Sequence, residues 1–185
     1  MAKAAIKAMD VTRVHPLAGQ SFGGPNVSIA PAPEAYRCSL RADARAVPSL
    51  SKALGIKLPR SAKQSITAAD RSALWLGPDE WLIIDTHGDP LDDLSKVGAL
   101  HSAVDVSHRN TALLVNGPRA ADVINAGCPQ DLSLAAFPVG ACSRTILGKI
   151  EVVLLRTDVD AFRLEVWRSF SAYAFELLST AASHN

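Results

Sequence analysis

The stretch of residues 73–84, ALWLGPDEWLII, places two tryptophans and six aliphatic residues around a Gly-Pro-Asp-Glu turn. It predicts a β-hairpin whose two central residues are Pro78 and Asp79. Alternation divides its apolar side chains between two faces, with Leu74, Leu76, Trp81 and Ile83 on one and Trp75, Leu82 and Ile84 on the other. A half-exposed antiparallel sheet alternates polar with apolar residues, so this hairpin needs cover on both faces. We expect helices of the same domain on one face, and the second half of the chain or another protein on the other.

The acids at the hairpin tip, Asp79 and Glu80, could be catalytic residues or turn residues. Acid–base catalysis usually needs a carboxyl group whose pKa is shifted by burial or by a charged neighbour. Two adjacent carboxylates at a tip show neither feature in the sequence, and the proline beside them presets a bend. We therefore interpret both as turn residues.

Residues 1–33 differ in composition from the rest of the chain. The segment SFGGPNVSIAPAP is rich in glycine and proline and has no regular apolar period, which predicts a flexible N-terminal arm. Phe22, Val27 and Ile29 give this arm apolar side chains to bury, so we expect it to become ordered on a partner.

From Glu34 onward, strand patterns alternate with helix patterns. Strands are expected at residues 34–42, 72–76, 81–85, 101–106, 111–115, 144–147, 150–156 and 161–166. Helices are expected from Asp43 to Gly55, after Asp89-Pro90, from Gly117 to Ala126, and after a cap at Ser169. The last helix has an apolar stripe of Phe170, Tyr173, Ala174, Leu177, Leu178 and Ala181. In the last strand we expect Phe162, Leu164 and Val166 to point inward, with Arg163 and Glu165 outward.

This order predicts an α+β fold with antiparallel or mixed sheets and helices packed on them. SLRADARAVPSLSKALGIKLP and LLVNGPRAADVINAGCPQDL share a strand, a helix with a glycine stop and a proline-containing exit. We therefore predict one domain, residues 34–182, made of two ferredoxin-like β-α-β-β-α halves at about 34–108 and 109–182.

Composition excludes several classes of function. The 185 residues carry a net charge of +1 and scattered basic residues, which disfavours nucleic-acid binding. Cys38, Cys128 and Cys142 lie far apart, which favours free thiols over disulfides or a zinc site. No apolar run is long enough to span a membrane and the first residues lack a signal-peptide pattern, so we expect a cytoplasmic protein.

The sequence shows no convincing catalytic, cofactor-binding or metal-binding set. Asp105, Ser107 and His108 are a hydrolase alternative, but on one strand His108 points away from the other two and no nucleophile elbow is present. The five histidines lack metal-ligand spacing, and no glycine motif forms a phosphate cradle. The residues alone indicate a binding or subunit role.

Three segments, in this order and spacing, resemble the gamma subunit of heterotetrameric sarcosine oxidase. They are WLGPDEWLII, VDVSHRNTALLVNGPRAADVINAGCPQDL and FRLEVWRSFSAYAFELL. LGPDEWL and the segment at Arg168–Ala172 are the most specific, and the resemblance covers about residues 34–182. It implies a fold related to the folate-binding domain of glycine-cleavage aminomethyltransferases.

The resemblance also implies a role in sarcosine catabolism. Such a complex oxidatively demethylates sarcosine to glycine, makes hydrogen peroxide and, with tetrahydrofolate, forms 5,10-methylenetetrahydrofolate. FAD, FMN, NAD and tetrahydrofolate belong to the partner subunits, and this chain is expected to hold no cofactor or catalytic residue. Its expected partners are the alpha, beta and delta subunits.

The resemblance implies a non-catalytic chain that stabilises the complex by docking on the alpha subunit. We take Trp75, Trp81 and Phe22 as candidate interface residues, because exposed aromatic side chains are frequent binding hot spots. The apolar surplus favours self-association of the chain when it is isolated. A stand-alone folate-binding or aminomethyltransferase-like module is the alternative.

Overall fold

Residues 14–184, which the computed structural model describes, form two antiparallel sheets with short helices packed on them. The first sheet contains β3 (Tyr36–Ala42), β4 (Ser65–Ala68), β5 (Arg71–Gly77), β6 (Glu80–Asp85) and β7 (His101–Asp105). The second contains β1 (Phe22–Gly23), β2 (Ser28–Pro31), β8 (Asn110–Asn116), β9 (Cys142–Leu147), β10 (Ile150–Asp158) and β11 (Ala161–Trp167). The predicted α+β class with antiparallel sheets is confirmed.

The two sheets have the same internal order. The first runs β4-β5-β6-β3-β7 and the second, apart from β1 at its edge, runs β9-β10-β11-β8-β2. In each half of the chain, a helix follows the first long strand: α1 (Val47–Leu54) follows β3, and α3 (Ala120–Asn125) follows β8. A further helix follows the central hairpin of each set, namely α2 (Pro90–Leu94) and α4 (Ser171–Ser183). The chain thus repeats one β-α-β-β-β-α arrangement.

Local sequence explains where these helices begin and end. The Asp89 carboxylate accepts a hydrogen bond from the Leu91 N–H at 2.9 Å and Pro90 follows it, as the sequence predicts for α2. Helix α1 stops at Gly55, which adopts the left-handed conformation at φ 67°. The predicted cap at Ser169 is wrong, because Arg168–Phe170 form a 3₁₀ turn and α4 begins at Ser171.

The prediction of an arm over residues 1–33 fails for the part that the structure describes. Strand β2 pairs with β8, with Ile29 opposite Val115, and β1 pairs with β2. Leu17, Val27 and Ile29 are buried in the core of the second sheet. The segment is short and rich in proline, but its alternate apolar residues suit an added strand. Residues 1–13 lie outside the described residues.

Three apolar clusters hold the molecule together. One lies between the first sheet and helices α1 and α2, and one lies between the second sheet and helices α3 and α4. The third lies between the two sheets, where Leu74, Leu82 and Ile84 meet Cys142, Val153 and Leu155. In the described chain, no helix is long and apolar enough to cross a membrane.

Candidate functional site

The hairpin at residues 73–84 is apolar on both faces because it belongs to two cores. Its outer face contributes Ala73, Trp81 and Ile83 to the cluster under helices α1 and α2. Its inner face packs against the second sheet through Leu74, Leu82 and Ile84. The second half of the chain therefore covers the second apolar face of the hairpin, which is one of the two alternatives predicted from the sequence.

The predicted register of this hairpin is wrong by one residue. Gly77 pairs with Glu80, so Pro78 and Asp79 are the central residues as expected, but Trp75 pairs with Trp81. A bulge at Leu76 accounts for the shift, because it puts one extra residue on β5. The two tryptophans therefore lie on the same face and not on opposite faces.

The three candidate interface residues lie in different surroundings. Trp81 is 1% exposed, and its Nε1–H donates to the carbonyl oxygen of Pro59 at 2.8 Å. Trp75 is half-buried, and its Nε1 is buried without an acceptor among residues 14–184. Phe22 is half-buried against the core of the second sheet. The structure brings Trp75 and Trp81 together and leaves Phe22 in the other half.

Glu80 joins the two sheets. Its carboxylate accepts from Arg41 of β3 at 2.9 Å and forms a close ion pair with Arg144 of β9. Burial acts to raise the pKa of Glu80, but hydrogen bonds and charges from Arg144 and Arg41 outweigh it and lower the pKa below 4.5. No local sequence pattern indicates Arg41 and Arg144 as partners of Glu80, because both lie far from it in the chain. Glu80 is a cross-sheet link as well as a turn residue.

A second cross-sheet link is buried. Arg37 of β3 donates from Nε to Glu165 of β11 at 2.6 Å, and Arg163 donates to the same carboxylate at 2.8 Å. The side chains of Arg37 and Glu165 are 4% and 1% exposed. The prediction that Glu165 points outward to solvent is wrong, since the polar face of β11 is covered by the first sheet.

Asp105, Ser107 and His108 do not assemble as a catalytic triad. The Ser107 hydroxyl accepts from the Arg37 N–H at 2.8 Å, and the Asp105 carboxylate accepts from the Ser107 N–H at 2.8 Å. His108 is exposed. These contacts fix the turn between β7 and β8 against the start of β3.

A cavity of about 420 Å³ lies beside this turn. Its lining includes His15, Arg37, His87, Ser107, His108 and Arg168. The volume falls within the range of about 300–1,000 Å³ that is usual for small-molecule sites. The lining is polar and contains more basic than acidic side chains, which favours an anionic group over a cation.

His15 attaches the N-terminal segment to this cavity wall. Its Nδ1 accepts from the Leu17 N–H at 3.2 Å, so the neutral ring carries its hydrogen on Nε2, which lies 2.8 Å from Thr111 Oγ1. Burial, followed by the charge of Arg168, lowers the pKa of His15 against the opposing charge of Glu34. This imidazole has a structural role as a neutral group.

An exposed aromatic pair lies next to the cavity. The rings of Trp167 and Phe170 stack with centroids 5.9 Å apart, and the guanidinium of Arg109 lies 4.1 Å from the Trp167 centroid. The Arg168 N–H donates to the Arg109 carbonyl at 2.8 Å, which joins the two segments. The apolar period of the last helix predicts Phe170 on its inner stripe, but Phe170 is 40% exposed.

The cysteines form neither disulfides nor a metal site among the described residues. All three cysteines are buried and free, and burial raises the pKa of Cys38 and of Cys142 to about 11, so both remain thiols. Residues 14–184 contain no group of three or more His, Cys, Asp or Glu side chains that could hold a metal ion.

Comparison with known proteins identifies the family. A model described as "Sarcosine oxidase, gamma subunit family" matches residues 39–184. The chain is 39% identical over 124 residues to sarcosine oxidase subunit gamma of Arthrobacter sp, a match that covers 61% of each chain. It is 33% identical over 150 residues to the same subunit of Corynebacterium sp. (strain U-96), covering 75% of this chain and 73% of the relative.

Solved structures agree with this assignment. Heterotetrameric sarcosine oxidase from Corynebacterium sp. U-96, in complex with pyrrole 2-carboxylate, matches with a TM-score of 0.85 and 27% identity over 93% of this chain and 95% of that chain. Aminomethyltransferase T of the glycine cleavage system from Bartonella henselae matches with a TM-score of 0.63 and 16% identity, over 83% of this chain and 45% of that chain. The second likeness shows a shared fold alone, as the sequence resemblance implied. The chain belongs to the sarcosine oxidase gamma subunit family.

Proposed function

We propose that this chain is the gamma subunit of a heterotetrameric sarcosine oxidase, and that it stabilises the complex by docking on the alpha subunit. The observation that carries the proposal is the TM-score of 0.85 over 93% of the chain to heterotetrameric sarcosine oxidase. In this proposal the complex converts sarcosine to glycine and hydrogen peroxide, and forms 5,10-methylenetetrahydrofolate when tetrahydrofolate is present. FAD, FMN, NAD and tetrahydrofolate bind to the partner subunits.

The described polar groups support a structural role for this chain. Arg37 and Arg163 both donate to the buried Glu165 carboxylate, and the Ser107 hydroxyl accepts from the Arg37 N–H. His15 is held between Thr111 and Leu17. The Arg37–Glu165 pair holds one sheet against the other, and His15 holds the N-terminal segment on β8, which gives the rigidity that a docking subunit requires. We place the complex in the cytoplasm, where three buried free thiols are stable.

The test is purification of the tagged chain from its native cells. Mass spectrometry of the intact assembly should show this chain with alpha, beta and delta subunits. The eluate should be yellow from flavin and should make peroxide when sarcosine is added. An untagged strain is the control for carry-over. Recovery of a colourless chain without partners would contradict the proposal.

The cavity of about 420 Å³ keeps a folate-binding module as a second candidate. Its size and basic lining are compatible with a small anionic ligand. This candidate requires saturable binding of tetrahydrofolate by the isolated chain, measured by calorimetry. Binding that appears only in the assembled complex would assign folate to the partner subunits instead.

A further inference from the structure

The surface formed by Arg109, Trp167, Arg168 and Phe170, here termed the basic aromatic surface, is built by a short local motif. Strand β11 ends at Trp167, and the 3₁₀ turn at Arg168–Phe170 leads directly into helix α4. The Ser171 hydroxyl donates to the Arg168 carbonyl at 2.8 Å, which closes the turn. The turn places Phe170 against Trp167, and the stacked rings are therefore preorganised.

The aromatic pair contributes little to the cores of the chain. Trp167 and Phe170 are 37% and 40% exposed and belong to none of the three apolar clusters of the described residues. Large aromatic side chains left in water forgo the free energy that their burial would supply. Trp and Arg are also the residues most enriched at the energetic centres of protein interfaces. The exposed Trp167–Phe170 stack with Arg109 beside it therefore indicates a binding surface.

The surroundings of the pair are basic. Arg109 lies over the Trp167 ring, and Arg168 lines the adjacent cavity. The acids nearby already face arginines of this chain: Glu165 is buried between Arg37 and Arg163, Glu80 pairs with Arg41 and Arg144, and Glu151 lies 4.0 Å from Arg144. Glu34 lines the adjacent cavity and is exposed. A partner that complements this surface must supply carboxylates around an apolar side chain.

We propose that the basic aromatic surface is the docking site for an acidic segment of a partner subunit. An apolar side chain of that segment packs on the Trp167–Phe170 stack, and its carboxylates pair with Arg109 and Arg168. This inference rests on the proposed function, because it assigns the contact by which the chain joins its complex. It places the interface at the junction of β11 and α4 and assigns no contact to the hairpin tryptophans.

The apolar part of the proposal is tested by Trp167→Ala and Phe170→Ala in the full-length tagged chain, co-expressed with its partner subunits. Trp167→Ala should weaken assembly at least about thirty-fold, because removing an interface hot spot has effects of this size. The matched control is Leu134→Ala, which removes a side chain that is 50% exposed elsewhere on the surface. Subunit stoichiometry by native mass spectrometry and dissociation on dilution are the readouts. Circular dichroism and thermal unfolding of each variant confirm folding.

The charged part is tested by Arg109→Glu, Arg109→Lys and the control Lys149→Glu, which reverses an exposed charge in the turn between β9 and β10. Arg109→Glu should weaken assembly at low salt at least about tenfold. Added salt should then weaken the wild-type complex and reduce the difference between the two. Arg109→Lys keeps the charge without the planar stacking group, so it should fall between wild type and Arg109→Glu.

The outcomes separate this inference from the proposed function. A wild-type chain that recovers no partner subunits contradicts both. A wild-type chain that assembles, with Trp167→Ala and Arg109→Glu assembling equally well, contradicts only the assignment of this surface. If the isolated wild-type chain forms a dimer that Trp167→Ala disrupts, the surface binds a second copy and the proposal is wrong.

Discussion

The two halves of the molecule share a strand order but complete their sheets differently. In the first half, the strand beside β3 is β7, which follows α2 in the same half. In the second half, the chain ends in α4, and the strand beside β8 is β2, from the start of the chain. Both added strands are antiparallel to their neighbours. The second half therefore depends on residues that precede the first.

The strand that is distant in sequence is the more deeply integrated one. Strand β7 buries none of its five residues, and Val104 is 52% exposed. Strand β2 buries Ile29 completely, and Val27 beside it is 5% exposed. Separation along the chain therefore does not indicate how much a segment contributes to a core. Four experiments test this difference and the links between the halves.

The largest effect is expected at the buried link between the halves. Glu165→Ala leaves the guanidinium groups of Arg37 and Arg163 without their carboxylate, so the free energy of unfolding should fall by about 3–5 kcal/mol. Urea denaturation provides the measurement. Glu151→Ala is the control, because Glu151 is 53% exposed and its nearest contact with Arg144 is 4.0 Å. A loss below about 1 kcal/mol would show that the halves are not joined energetically at this point.

The two added strands are compared directly by Ile29→Ala and Val104→Ala. Ile29 is fully buried, so its truncation should cost about 2–5 kcal/mol. Val104 is mostly exposed, and its truncation should change stability by no more than about 0.5 kcal/mol. Equal effects for the two variants in thermal or urea unfolding would overturn the difference between β2 and β7.

The attachment of β2 is tested at Gly117. This residue has a φ of 127°, and a Cβ placed on it would overlap the Asn26 carbonyl oxygen. Gly117→Ala should therefore displace the segment before β2 and cost about 1–3 kcal/mol. Gly98→Ala, before β7, is the control, because no atom lies within 4 Å of its added Cβ. Faster proteolysis within residues 14–33 of Gly117→Ala should accompany the loss of stability.

The smallest effect is expected at the surface link through Glu80. The pKa of this carboxyl is lower in the folded chain than its unfolded value of 4.5, so its contribution is complete above that value and is lost as the pH falls through the folded pKa. Because Arg41 is 60% exposed, Glu80→Gln should cost no more than about 1 kcal/mol at neutral pH. The difference from wild type in urea midpoint should disappear in acid. A difference that persists once the pH is low enough to protonate Glu80 in the folded chain would contradict this assignment.

Local chemistry allowed much of the fold to be predicted from the sequence. The proline and aspartate that start α2, the glycine that ends α1 and the Pro78-Asp79 turn each act within a few residues. The two apolar faces of the hairpin also predicted that a second part of the chain or another protein covers one of them, and the second sheet does so. These features were predictable because each depends on neighbouring residues or on a regular period.

The errors involved contacts between distant residues. The bulge at Leu76 moves Trp75 to the face of Trp81, whereas regular alternation along β5 puts the two tryptophans on opposite faces. Glu165 reads as a solvent-facing residue on an alternating strand, because its partner Arg37 lies 128 residues away. The exposed Trp167–Phe170 pair was likewise missed, since Phe170 falls on the apolar period of α4 although the chain there forms a 3₁₀ turn.

The position of β2 also imposes an order on folding during synthesis. Residues 28–31 of β2 leave the ribosome before their partner strand β8, which begins at Asn110. Strand β8 also pairs with β11, which ends at Trp167. The strands of the first sheet, within residues 36–105, are all synthesised before β8 begins. Ile29 and its apolar neighbours must therefore stay unpaired while the first half forms, and such exposed segments promote aggregation. Closure of the second sheet joins residues far apart in the chain, so it follows formation of the first sheet and is expected to be slow.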